Sequence, residues 1–134
     1  MRVLAIDHGT VRMGIAMSDE LKMIAQPLEF IQAEPYSGFL DRLRELLREY
    51  EVELILLGMP RNMDGSYGEA SAKVRDFEAV LKNSITVPIK TWDERLTSVQ
   101  ANRVLSQGGA RKKKKRQNVD AMSAAILLQS YLDG

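Results

Sequence analysis

The sequence contains no cysteine and a single histidine, His8. Disulfides, thiolate nucleophiles, Cys-ligated zinc and multi-histidine metal sites are therefore excluded, and any metal bound here must be held by oxygen. Long hydrophobic runs are also missing. One Arg and four apolar residues precede Asp7, too few for a signal-peptide core. No stretch approaches the roughly 18 apolar residues of a membrane-spanning helix. A cytoplasmic protein without membrane contact is expected.

What is present is an ordinary globular composition, 45% hydrophobic and 28% charged, well away from that of disordered chains. With 134 residues the chain can close one hydrophobic core but not two, so one domain over residues 1–134 is expected. The net charge of +1 conceals an asymmetry. Six of the 19 Lys and Arg lie in Arg111–Arg116, and the other 13 face 18 acidic residues, leaving the remainder at −5. A basic loop on an acidic body suits a polyanion held beside carboxylates. A solvated, mobile loop is the alternative, since most blocks of like charge are that.

Arg2–Asp7 and Met13–Met17 read as strands about a turn at Gly9–Arg12, and Met23–Ile31 as a third strand whose Pro27 marks an edge. Phe39, Leu40, Leu43, Leu46, Leu47 and Tyr50 recur at helical spacing. Glu53–Leu57 reads as a buried strand, and Gly58–Gly68 as a loop. Ala70, Val74, Phe77 and Leu81 mark a second helix, and Thr86–Thr91 another buried strand. A capping box at Thr97 and Gln100 opens a third helix that Gly108 and Gly109 would end. A last helix follows Asn118. This order predicts an α/β fold: a mixed five-stranded sheet, three antiparallel strands then two parallel ones, with helices on both faces.

In such a sheet ligands gather at the carboxyl ends of the parallel strands, where Asp7 ends strand one. Gly9 beside it allows a phosphate or ion to approach the backbone. The same tripeptide also simply starts turns. Glu94 follows the fifth strand, with Asp93 and Asp64 competing for its role. Asp120 shares a helical face with Ala124, Leu127, Leu128 and Tyr131, so its charge needs a cation, a hydrogen-bond donor or a metal. Three such carboxylates on one rim would hold Mg²⁺ or Mn²⁺. Phosphodiester hydrolysis with two ions about 3.5–4 Å apart is the natural use. The spacing Gly9 to Gly14 misses a phosphate-binding loop, because Ile15 stands where Lys is required. His8 should face away from Asp7 by strand alternation, in a structural role.

The motifs Asp7-x-Gly9 with Arg12-x-Gly14, Gly58-Met59-Pro60 with Asp64-Gly65, Asp93–Ser98, and Val119-Asp120 with Ala124, Leu128 and Gln129 run in order along nearly the whole chain. Jointly they resemble the YqgF family, also called RuvX, which is similar in fold to ribonuclease H and the RuvC resolvases. Its members are described as Holliday junction resolvases or as nucleases maturing the 5′ end of pre-16S ribosomal RNA.

The resemblance implies an acidic triad of Asp7, Glu94 and Asp120 that is both catalytic and metal-binding. It implies phosphate contacts from Arg12, Arg95 and Lys112, Lys113, Lys114 and Lys115, with Gly9, Gly14 and Gly58 structural at the site. It also implies work on structured or precursor RNA in ribosome biogenesis. RuvC-type resolvases carry another carboxylate three residues after the last acid. Here that residue is Ser123, which weighs against the alternative of cutting branched DNA. Nothing in the sequence marks the symmetric dimer that resolution requires, so a monomer is expected. The remaining alternatives are a non-catalytic RNA-binding protein and a nucleotide-binding module, the latter lacking its second Asp-x-Gly half.

Overall fold

The computed structural model describes residues 1–60, 68–93 and 119–134. The expected helix from Thr97, Asn118 and the basic run lie outside them. Strands β1 (Arg2–Asp7), β2 (Arg12–Ser18) and β3 (Ala25–Gln32) are followed by α1 (Tyr36–Glu49), β4 (Val52–Met59), α2 (Glu69–Ser84), β5 (Ile89–Asp93) and α3 (Val119–Asp133). The sheet order is β3-β2-β1-β4-β5. β1 and β3 both pair antiparallel with β2, while β1–β4 and β4–β5 are parallel. This is the mixed sheet that the sequence predicts, with β3, the Pro27 strand, at an edge.

Strand alternation puts apolar side chains on both faces of the sheet, so the chain closes two hydrophobic clusters where its length suggests a single core. On one face Leu4, Ile6, Met13 and Ile15 pack with Phe39, Leu43 and Leu46 of α1 and Val74, Phe77 and Leu81 of α2. On the other, Val3, Ala5, Ala16 and Ala25 meet Ala124, Ala125, Leu127 and Leu128 of α3. No described helix is long and apolar enough to cross a membrane.

Several boundaries differ from expectation, and β5 also runs on to Asp93 rather than ending at Thr91. β3 starts at Ala25 rather than Met23, because the Asp19 carboxylate accepts the N–H groups of Met23 and Ile24 and holds them in the turn. α1 starts at Tyr36, three residues early: its first turn is exposed and carries no apolar periodicity, while the Pro35 carbonyl accepts from Gly38 and Phe39. Gly58 and Met59 belong to β4, not to the following loop. β5 begins at Ile89 instead of Thr86 and is half-buried. Pro88 has no N–H to give to a ladder, although its carbonyl accepts from Ile55, and β5 pairs with β4 alone among the described strands.

Candidate functional site

Asp7 is the last residue of β1, and its partner across the antiparallel ladder is Gly14. Opposed residues share a face, so both look toward α3. A Cβ built on Gly14 would stand 1.8 Å from the Asp120 carbonyl oxygen. Only glycine therefore lets the first turn of α3 lie against β2, and this contact delivers Asp120 to the end of the sheet where Asp7 sits. Gly9 is needed for a different reason: its Cβ would fall 2.1 Å from the Arg12 carbonyl oxygen, across the turn between β1 and β2.

Arg12 lies two residues before Gly14 and hence on the same face. Its Nε is 3.0 Å from Oδ2 of Asp120, and its guanidinium carbon lies 5.4 Å from the ring centroid of Phe30. Phe30 is itself opposite Gly14 on β3. The cation that the Asp120 charge requires is thus Arg12, a residue the sequence had offered only as a phosphate contact. Nothing in the local sequence signals this pair, which spans more than 100 positions.

The remaining candidates divide. Asp93 is opposite Met59, a residue of the α1 and α2 core, so Asp93 lies on the face away from Asp7. Gly58 is opposite Trp92 on the α3 face. Glu94, Arg95, Asp64 and Lys112 to Lys115 lie outside the described residues. Among the described residues no group of three acidic or histidine side chains could hold a metal ion. What they supply is two carboxylates, Asp7 and Asp120, at one sheet end. This hard-oxygen donor set fits a divalent cation of the magnesium class.

His8 faces away from Asp7, as alternation predicts, with its ring 5.2 Å from that of Phe77. Burial, and secondarily the positive charge of Lys73, hold its pKa below the ordinary histidine value. A cavity of about 380 Å³ beside the β1–β2 turn is lined by Asp7, Gly9, Thr10, Pro60, Glu69 and Lys73. Lys73 had given no signal in the sequence, since an exposed lysine on an amphipathic helix is ordinary.

The model of the family described as RuvX, Holliday junction resolvase, matches residues 1–134. The chain belongs to the RuvX family. A relative from Halothermothrix orenii is 44% identical over 133 residues, covering 99% of this chain and 95% of its own, and bears the name "Putative pre-16S rRNA nuclease". One from Desulforamulus reducens with the same name is 43% identical, at 99% and 97% coverage. Among solved structures, Thermus thermophilus RuvC in complex with a Holliday junction superposes with a TM-score of 0.56 at 17% identity, covering 98% of this chain and 93% of that one. The Fowlpox virus resolvase bound to Holliday junction DNA gives 0.56 at 12% identity, with 99% and 97% covered. At these identities the likeness concerns the fold alone, and it makes this RuvX-family chain ribonuclease H-like, as the motifs imply.

Proposed function

We propose that this chain is a Mg²⁺- or Mn²⁺-dependent endonuclease that hydrolyses phosphodiester bonds in ribosomal precursor RNA, maturing the 5′ end of pre-16S rRNA in the cytoplasm. The observation that carries the reading is the convergence of Asp7 and Asp120 across Gly14, in a chain whose full-length relatives are named for this activity. Asp7 and Asp120, joined by Glu94, would hold the ions. Two such ions, if bound there, would supply an activated water and offset charge on the leaving oxygen. The chain's own groups do the rest. Asp7, fixed by its strand, and Asp120, fixed by the α3 contact, set the position of the reacting phosphate. Gly9 keeps the turn low enough for a backbone to approach. Arg95 and Lys112 to Lys115 neutralise flanking phosphates, which makes binding salt-dependent.

The test is Asp7→Asn against precursor RNA in Mg²⁺. A loss of at least about 100-fold is expected, since even the outer-shell partners of metal ligands act on that scale. Wild-type rates in that variant would refute the assignment. A second reading, resolution of four-way DNA junctions, is favoured by the family description and by the fold of the resolvases. It requires paired symmetric nicks from a dimer, and Ser123, in place of a further carboxylate, argues against it.

A further inference from the structure

The Arg12–Asp120 pair brings a cation of the protein's own to one of the two carboxylates that the proposed function gives to a metal. The pair is not a loose surface contact. Asp120 belongs to the first turn of α3, whose backbone is pressed against Gly14, so the carboxylate cannot retreat into solvent by moving the helix. Its side chain is 30% exposed, which leaves its charge partly desolvated and in need of a local partner. Arg12, the first residue of β2, is different: its side chain is 48% exposed and leans on the ring of Phe30 at the sheet edge. It can swing outward without unpacking either core.

We infer that Arg12 is the resident counter-ion of the carboxylate site, neutralising Asp120 until a divalent cation binds and then turning outward to a substrate phosphate. The inference rests on the metal-dependent reading given above. The physical reason is that a guanidinium and a divalent ion are like charges drawn to the same carboxylate. The ion's arrival weakens the hold of Asp120 on Arg12. A guanidinium released at that rim has a better partner in a phosphodiester, which matches its fork of donors. Metal and phosphate binding are then coupled through one side chain, and by linkage each strengthens the other. Arg12 is a positioning residue in this scheme, acting on the metal through Asp120.

Calorimetric titration of Mg²⁺ and Mn²⁺ into the full chain tests this without turnover. Arg12→Gln removes the competing charge and is expected to bind metal about two- to tenfold more tightly than wild type, the range set by a half-exposed ion pair plus the repulsion relieved. Arg12→Lys, which keeps a charge but not the guanidinium, should fall between. Equal or weaker binding by Arg12→Gln overturns the inference. Asp7→Asn and Asp120→Asn serve as the reference: if both titrate like wild type, the metal site itself is wrong and the inference falls with it. If both lose binding while Arg12→Gln matches wild type, only the counter-ion role falls. A second readout needs no substitution. The Arg12 Nε–H resonance of the wild-type protein should shift during the Mg²⁺ titration, with faster exchange with water at saturation. A resonance that stays unchanged at saturating Mg²⁺ overturns the inference.

Discussion

The two faces of the sheet are built from different residues for different purposes. On the α1 and α2 side the contacts are between large side chains: Leu4, Ile6, Ile15, Phe39, Leu43, Phe77 and Leu81 are all essentially without exposure. Each contributes about 1.5–3 kcal/mol of burial, so most of the stability resides there. On the α3 side the layer is thin and rich in alanine, with Ala5, Ala16, Ala25, Ala121, Ala124 and Ala125 buried. Small residues allow a helix to approach a sheet closely, and at Gly14 the approach reaches backbone contact. The thick face holds the fold together; the thin face fixes where Asp120 stands relative to Asp7. Precision in the carboxylate geometry therefore depends on what is absent from the side chains rather than on what they contribute.

The most direct way to break that arrangement is Gly14→Ala. The added methyl would meet the Asp120 carbonyl oxygen at 1.8 Å and the carbonyl carbon at 2.3 Å. Both are backbone atoms, so no rotamer change relieves the clash and α3 must lift. A loss of about 3 kcal/mol or more is expected in urea unfolding, at or beyond the upper end of ordinary overpacking. The Arg12–Asp120 pair should be lost with it. If unfolding stayed within about 0.5 kcal/mol of wild type, the size of an ordinary surface substitution, the close approach would be wrong.

The thick face was legible in the sequence because large apolar residues at helical or strand spacing report burial directly: Phe39, Leu43 and Leu46 of α1 and Val74, Phe77 and Leu81 of α2 fall where periodicity puts them. The first turn of α1 is not legible because Tyr36 to Gly38 are exposed, nor is the start of β5, because Thr86 and Val87 look strand-like until Pro88 interrupts the ladder. The thin face was only half legible. Gly14 was recognised by its place in a motif, but its reason is an α3 contact that no local pattern contains. The same holds for Asp120, whose apolar surroundings announced the need for a partner without naming Arg12. The face on which Asp93 lies follows from alternation only once β5 is known to run to Asp93 rather than to end at Thr91.

A milder perturbation of the thin face is Gln129→Leu. Oε1 of Gln129 accepts from the Ala25 N–H at 2.8 Å, and its Nε2 donates to the Met23 carbonyl and to Asp133 Oδ1, each at 3.0 Å. The side chain ties α3 to the turn between β2 and β3. Leucine fills similar space but leaves the partly buried Ala25 N–H without its acceptor. A cost of about 1–2 kcal/mol is expected, on the scale of one unmet donor. Hydrogen exchange should show the Ala25 amide opening faster while amides of α2 stay protected. Uniform loosening of both faces would mean that α3 and the α1–α2 layer are not separable units.

The smallest expected effect belongs to the thick face and follows from His8. Burial against Phe77 disfavours the imidazolium, and Lys73 on α2 adds repulsion, so the folded-state pKa lies below the ordinary 6.5. Glu34 and Asp76, which line a second cavity together with His8 and Lys73, are acids that would favour the charged ring, but burial and Lys73 prevail. As pH falls through 6.5 the unfolded chain takes up a proton that folded His8 refuses, and folding weakens. The His8 contribution is therefore intact above pH 6.5, declines as pH falls from there to the lowered folded pKa, and levels off below it. Thermal melts of wild type and His8→Gln across pH 5 to 8 check this. Wild type should lose more Tm below pH 6.5 than the variant, whose curve should be shallower in that window. Parallel curves would mean that His8 titrates alike in both states, and that the thick face tolerates a charge where its packing says it should not.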